Sequence, residues 1–551
     1  SFYPVMSETA PLLPAAEDPG YCGTTTTESD HRDQVVSVTR AGSDDETGEG
    51  FDNVPKEKRQ LGLTSAAFLV FNRVIGTGIY ATPSVILRNS GSVGVALLMW
   101  LLGALIAAFG TAVYVELGTG LPRNGGEKNY LEFIYRKPRF LVSCSFVVYT
   151  LIIGTAAANS IVFGEYLLNA LAITPTRFLT RLLAVLVLTF VLGMHGTLLQ
   201  TGVRLQNALG VFKLIILASI ALLGLLSLLG VPGFAVRDGY DKPDNFAGWS
   251  QIWDGTGSTG ANGLVTALYS IIWSFIGYAN ANYALSEVRD PVRTIKRAAP
   301  LAMAAVTIAY LLVNIAYFAV VSKGDILESK RIVAALFFRN LFGPATERAL
   351  SVFVALSTLG NLLSGQFTQG RVIQELGREG ILPYSGFFAS NKPFGAPLAG
   401  LFTQYLVSCA FVLGPPPGDV YLFMISTSSY SLALVNTFVS FGLLLLYTPA
   451  YRDFNWSPPF RAPWAITAAF CLTNVFLIVV PLVPPPLGKQ VYEALPYYLH
   501  AVVAMSLGLV GVAYWYVWSV WLPRRGGYAL EREWVVQEDG VPRWVFRKKD
   551  L

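Results

Sequence analysis

The chain has 551 residues, 53% hydrophobic and 14% charged, with a net charge of +5 and a mean hydropathy of +0.49. Ordinary soluble domains carry about 25% charged residues, so this balance points to a membrane protein. The basic residues lie mostly between apolar runs, where they report topology and not a nucleic-acid surface.

Residues 1–58 are rich in Ser, Thr, Asp, Glu and Gly and show no apolar period, which predicts a disordered tail. They have no apolar core like that of a cleaved signal peptide. Within them, Glu8-Thr9-Ala10-Pro11-Leu12-Leu13 fits an acidic dileucine sorting pattern, although such short patterns also occur by chance. From Leu61 onward, long apolar runs alternate with short polar loops. Spans are predicted near 62–88, 92–118, 139–170, 179–195, 205–230, 263–286, 298–321, 349–373, 396–414, 419–447, 462–483 and 494–522. The expected fold is therefore an all-α polytopic membrane protein of about twelve spans. It comprises a tail at 1–58, a membrane domain at 59–522 and a second tail at 523–551.

The loop 119–138 carries Arg123, Lys128, Arg136 and Lys137, and the loop after the sixth span carries Arg289, Arg293, Lys296 and Arg297. The last tail opens with Arg524 and Arg525. By the positive-inside rule these segments and both termini face the cytoplasm. The loop 322–348 is also basic and opposes this weakly; its apolar stretch Ile332–Phe338 reads as an interfacial helix.

The first span contains N-R-V-I-G-T-G-I-Y-A-T-P, Asn72 to Pro83. Gly76 and Gly78 flank Thr77 at mid-depth, where a helix is easily unwound. Unwound backbone inside a membrane must line a cavity or be buried in protein. The second half-helix would start near Gly78 and Ile79, with free N–H groups and a positive dipole end suited to a carboxylate. The alternative is that these glycines only let two helices pack closely.

The sixth span offers a counterpart, Trp273-Ser274-Phe275-Ile276-Gly277-Tyr278-Ala279-Asn280-Ala281-Asn282. Interruptions five spans apart point to a five-plus-five inverted repeat with broken helices one and six. Carbonyls left free at the end of the first half of span six suit an ammonium group. Carboxylate and ammonium ends side by side describe a zwitterion site for an α-amino acid. The amides of Asn280 and Asn282 could instead be plain interhelical ties.

Lys213 lies about nine residues into span five, in an apolar run, and an intramembrane ionisable group is a functional candidate. The alternative is a lysine snorkelling to the interface. Its ammonium could occupy a cation position against first-span carbonyls. Glu116 and Glu165, near the ends of spans two and three, read as structural or interfacial. The cysteines (Cys22, Cys144, Cys409, Cys471) and histidines (His31, His195, His500) are too scattered for a disulfide framework or a metal site.

These motifs resemble the amino acid–polyamine–organocation superfamily and, within it, the L-type amino acid transporters. The resemblance rests on V-I-G-T-G-I-Y-A-T-P, on V-E-L-G followed by P-R-N-G-G-E-K-N-Y (115–130), on S-E-V-R-D-P-V-R (286–293) and on G-R-E-G-I-L-P (377–383). It covers about 60 to 522. The span-six run is most similar to that of fungal high-affinity methionine permeases, which implies a proton-coupled importer of neutral amino acids in the plasma membrane, with the vacuolar membrane as the alternative.

Carried over residue by residue, the resemblance assigns carboxylate binding to Gly76, Thr77 and Gly78, flanked by Val74 and Ile79. It assigns ammonium binding to Trp273, Ser274 and Ile276, and gating to Trp273. The family's span-five lysine falls on Lys213, which implies sodium independence. Span six carries one residue more than the animal pattern just after Gly277, so the alignment beyond it shifts. Span ten reads I-S-T-S-S-Y-S (425–431), small and polar where the family is partly aromatic. The loop 171–178, L-A-I-T-P-T-R-F, lacks the cysteine that links animal members to a heavy chain, so no disulfide-linked partner is expected. The expected partners are an amino acid, protons and the lipid bilayer, with no cofactor.

The alternatives are a broad neutral exchanger, a nutrient sensor on the same fold, or a major-facilitator carrier. The last would lack paired mid-span breaks. A membrane enzyme is disfavoured because no nucleophile–base pair appears in the sequence.

Overall fold

Apolar runs in lipid fold as helices because only the helix itself can pair their backbone N–H and C=O groups. The structure, a computed structural model, describes residues 59, 61–153, 156–329, 333–414, 420–485, 492, 495–537 and 542–550. The expected N-terminal tail and its Glu8–Leu13 pattern lie outside them. Among the described residues, ten helical segments are long and apolar enough to cross a bilayer, beginning with Leu63–Ala81 and ending with Leu499–Gly526. The third expected span corresponds to Leu141–Ile153 and Ala157–Ala170, and the ninth to the 16-residue helix Leu398–Leu413.

The first and sixth spans are broken at glycines. The first runs as a helix over Leu63–Val74, leaves helical geometry at Ile75 (ψ 96°), and resumes at Gly78–Ala81. Pro83 then starts the helix Pro83–Ser90, at a first-turn position where its missing N–H costs nothing. The sixth is helical over Ala261–Phe275 and continues as a 3₁₀ helix over Asn280–Glu287. Between them Gly277 takes φ +128°, which a side chain rarely allows.

Aromatic packing holds the broken spans to their neighbours. Trp100 of the second span packs edge-on against Phe275 (6.1 Å) and against Tyr310 of the helix Pro291–Val320 (5.4 Å). Glu116, expected to be structural or interfacial, is fully buried. It accepts from Trp456 Nε1 (3.1 Å), the Ala462 N–H (2.8 Å) and the Tyr447 hydroxyl, tying the second span to the loop after span ten.

Two expectations change. The stretch expected as an interfacial helix is the helix Val333–Phe342, and Val333, Ala334, Ala335 and Phe337 are all fully buried. Its apolar residues stand at consecutive positions, so they face protein on several sides and leave no single stripe for lipid. The last tail is also not plain chain. Tyr528–Val536 pairs antiparallel with Pro542–Asp550, Arg532 opposite Phe546. The hairpin docks on the protein: the Phe546 N–H donates to Glu379 O (2.8 Å) and its ring packs on Phe140 (4.8 Å). Arg532 pairs with Glu132 of the helix Glu127–Ile134. Burial alone would raise the Glu132 carboxyl, but Lys128 and Arg532 outweigh it and bring it down to about 2.

Candidate functional site

The two breaks touch. A Cβ on Gly78 would lie 2.7 Å from Ser274 Cα, and one on Gly277 would lie 2.6 Å from Arg73 Cγ and 3.0 Å from Val74 N. A Cβ on Gly76 would meet Asn361 Nδ2 at 2.5 Å. These glycines are therefore needed for close approach at the break, and the packing reading and the unwinding reading are both satisfied at once.

Among the described residues, no backbone carbonyl accepts from the N–H groups of residues 76–79. Residues 76–78 line a cavity of about 20 Å³ together with Val74, Asn159, Trp273, Ile276, Asn361 and Arg73. A single water needs about 10–15 Å³, so the space as it stands holds about one water-sized polar group. Ile79, the next residue, is fully buried.

A chain of amides fixes the break. Thr77 Oγ1 donates to Asn159 Oδ1 (2.7 Å), Asn159 Nδ2 to Asn361 Oδ1 (2.8 Å), and Asn361 Nδ2 to Arg73 O (2.6 Å). On the other side the Tyr310 hydroxyl lies 2.9 Å from Val74 O and 3.0 Å from Ser274 O. It can donate to either, so one side chain serves the carbonyl ends of both broken spans. Thr82 Oγ1 donates to Gly78 O (2.7 Å) and lies 3.3 Å from Ser274 Oγ. Of the expected ammonium ligands, Trp273 O accepts from the Ile276 N–H (3.2 Å) and Ser274 O faces Tyr310, each with a second lone pair.

Lys213 does not snorkel. It is fully buried, and Nζ reaches Ile75 O at 2.5 Å and Asn72 O at 3.1 Å. Those carbonyls are released by the break, so the lysine holds the loosened turn. A Cβ on Gly360 would lie 3.1 Å from Lys213 Cε, which gives the stem its room. The span-six asparagines do act as ties: Asn280 Nδ2 donates to Leu69 O and Asn282 Nδ2 to Tyr114 O, both at 3.1 Å.

A second cavity of about 80 Å³ continues from the break, bounded by Arg73, Phe146, Tyr149, Trp273, Tyr278, Tyr283, Ser428, Leu432 and Glu127. Trp273 lines both spaces, as do Arg73 and Ile276. Ser428 brings the small polar stretch of span ten to the cavity wall. Glu127 is 2% exposed and its Oε1 accepts from Tyr283 (2.7 Å) and Tyr114 (3.0 Å), while its Oε2 has no partner among the described residues. Burial raises its pKa.

Sequence reasoning missed Arg73, Asn159, Asn361, Tyr310 and Glu127. Asn159 and Asn361 carried a signal, since each is an amide inside an apolar run. Tyr310 carried none, because a tyrosine on an apolar helix is ordinary.

Residues 61–507 match the amino acid permease family. The chain is 44% identical over 520 residues to a high-affinity methionine permease of Saccharomyces cerevisiae, covering 94% of this chain and 89% of the relative. It is 30% identical over 507 residues to a low-affinity methionine permease of the same organism, covering 90% and 89%. It is 27% identical over 442 residues to the human b(0,+)-type amino acid transporter 1, covering 79% and 85%. With paired helix breaks enclosing a polar cavity, and a family match spanning most of its length, the chain belongs to the amino acid permeases.

Proposed function

We propose that this permease imports neutral L-amino acids, methionine foremost, by alternating access, with proton coupling and without sodium. The observation that carries the reading is the meeting of the two breaks at Gly78 and Ser274, with the free N–H groups of residues 76–79 beside it. The α-carboxylate takes those N–H groups, with Val74 and Ile79 flanking. The ammonium takes the remaining lone pairs of the Trp273 and Ser274 carbonyls and the carbonyl of Ile276. The side chain lies toward Tyr149, Phe146 and Leu432, and Trp273 closes over it. The names of the two yeast relatives support methionine as the substrate.

In this reading twelve spans form a five-plus-five inverted repeat and two additional helices, and the broken spans rock around the site. Both termini are cytoplasmic, the protein sits in the plasma membrane, and it works without a disulfide-linked heavy chain.

Lys213 couples the cycle. As an ammonium it holds Ile75 O and Asn72 O; as a neutral amine it loosens them and frees the first span to move. A proton biases the two conformations to the extent that they bind it differently. The test is uptake of labelled methionine by proteoliposomes with and without a pH gradient, in sodium-free buffer, for the wild type and Lys213→Ala. The variant is expected to lose pH-driven accumulation while keeping part of its exchange of internal for external substrate. Loss of both together would make Lys213 a fixed charge, and pH-driven accumulation that survives would move the proton site elsewhere.

A further inference from the structure

Arg73 ends the first half of span one, one residue before Val74. It lines both the small cavity at the break and the larger one beyond it. Among the described residues no carboxylate pairs with it. Its hydrogen bond is a long one, Nη1 to Asn361 Oδ1 at 3.4 Å, and that oxygen already accepts from Asn159. The group is also held in place: a Cβ on Gly277 would lie 2.6 Å from its Cγ, and one on Gly365 would lie 2.7 Å from Nη1.

A guanidinium keeps its proton, and a fixed cation inside a membrane protein needs an anion to offset its burial. The other charge on this cavity, Glu127, forms no ion pair with Arg73 among the described residues; its Oε1 accepts from the hydroxyls of Tyr114 and Tyr283. The carboxylate of an amino acid bound at the break would supply that anion.

We propose that Arg73 is the charge filter of the substrate site, attracting the α-carboxylate and rejecting amino acids whose side chain ends in a cation. This rests on the reading that the amino acid binds at the break. Like charges about 8 Å apart at an effective dielectric of about 20 weaken binding by about thirtyfold. Two amino acids of equal length isolate the effect, since ornithine carries an ammonium where norleucine carries its terminal methyl.

The experiment measures inhibition of methionine uptake by norleucine and by ornithine in proteoliposomes of the wild type, Arg73→Met and Arg73→Lys. The wild type is expected to need about thirtyfold more ornithine than norleucine, and Arg73→Lys to keep that ratio. In Arg73→Met the ratio should fall to about threefold or less. A merely structural role would slow uptake and leave the ratio unchanged. If Arg73→Met does not transport, the same ratio is read from the rise in melting temperature of the purified protein with each ligand. An Arg73→Met protein that discriminates as strongly as the wild type overturns the filter while leaving the functional reading intact. A wild type that takes up neither methionine nor norleucine overturns both.

Discussion

Replacing Gly78 by alanine adds one methyl group where the two interrupted spans touch. The new Cβ would lie 2.7 Å from Ser274 Cα, and the Ser274 side-chain atoms are closer still. Ordinary contact begins at 3.4 Å, so the fit is about 0.7 Å too tight. The Ser274 side chain can rotate, but its Cα belongs to the helix Ala261–Phe275 and moves only if that helix moves. A shift there also disturbs Tyr310, which lies 3.0 Å from Ser274 O and 2.9 Å from Val74 O. Overpacking of this kind costs about 1–3 kcal/mol, a factor of about 5 to 150 in the population of this arrangement. Initial uptake of labelled methionine per molecule at the cell surface is expected to fall about fivefold or more, and Gly78→Val should abolish it. Gly193→Ala is the control, because nothing lies within 4 Å of the added Cβ. Uptake by Gly78→Ala within about twofold of wild type, at equal surface expression, would refute the argument that the breaks must meet this closely.

Four further outcomes are expected. Trp273→Ala should lower turnover more than it weakens binding, because the residue lines both the small cavity at the break and the larger one beyond it; a raised KM with unchanged kcat would make Trp273 a plain wall. Burial raises the Glu127 pKa above its ordinary value of 4.5, so its contribution to stability is full below that value and is lost as pH rises through the folded-state pKa. The melting temperature of the purified wild type should therefore fall more steeply with rising pH than that of Glu127→Gln; parallel curves would refute this. Phe546→Ala should cost about 3 kcal/mol of local packing and make the C-terminal hairpin markedly more sensitive to limited proteolysis, since the ring is 7% exposed against Phe140 and Trp518. Asn455-Trp456-Ser457 should carry no N-glycan, because that loop is cytoplasmic in the proposed orientation and Trp456 Nε1 is bound to buried Glu116. A glycosidase-sensitive mobility shift that disappears in Asn455→Gln would invert the orientation.

Most of the membrane architecture could be read from residues alone. Hydropathy determines which segments are helical, because lipid leaves backbone groups no alternative. Gly76, Gly78 and Gly277 mark where those helices fail, because a missing Cβ is a local property. Lys213 was legible for a similar reason: a charge deep in an apolar run must find a partner, and the carbonyls of a broken turn are the nearest candidates. The identity of the partners was decided only by the tertiary structure. Asn361 lies 288 residues from Arg73 in sequence and Tyr310 lies 236 from Val74, so no local pattern links them. The burial of Val333–Phe342 and the docking of the hairpin on Glu132 and Glu379 are likewise contacts between distant segments. Composition tells a side chain whether it must be satisfied, and packing of the whole chain decides by what.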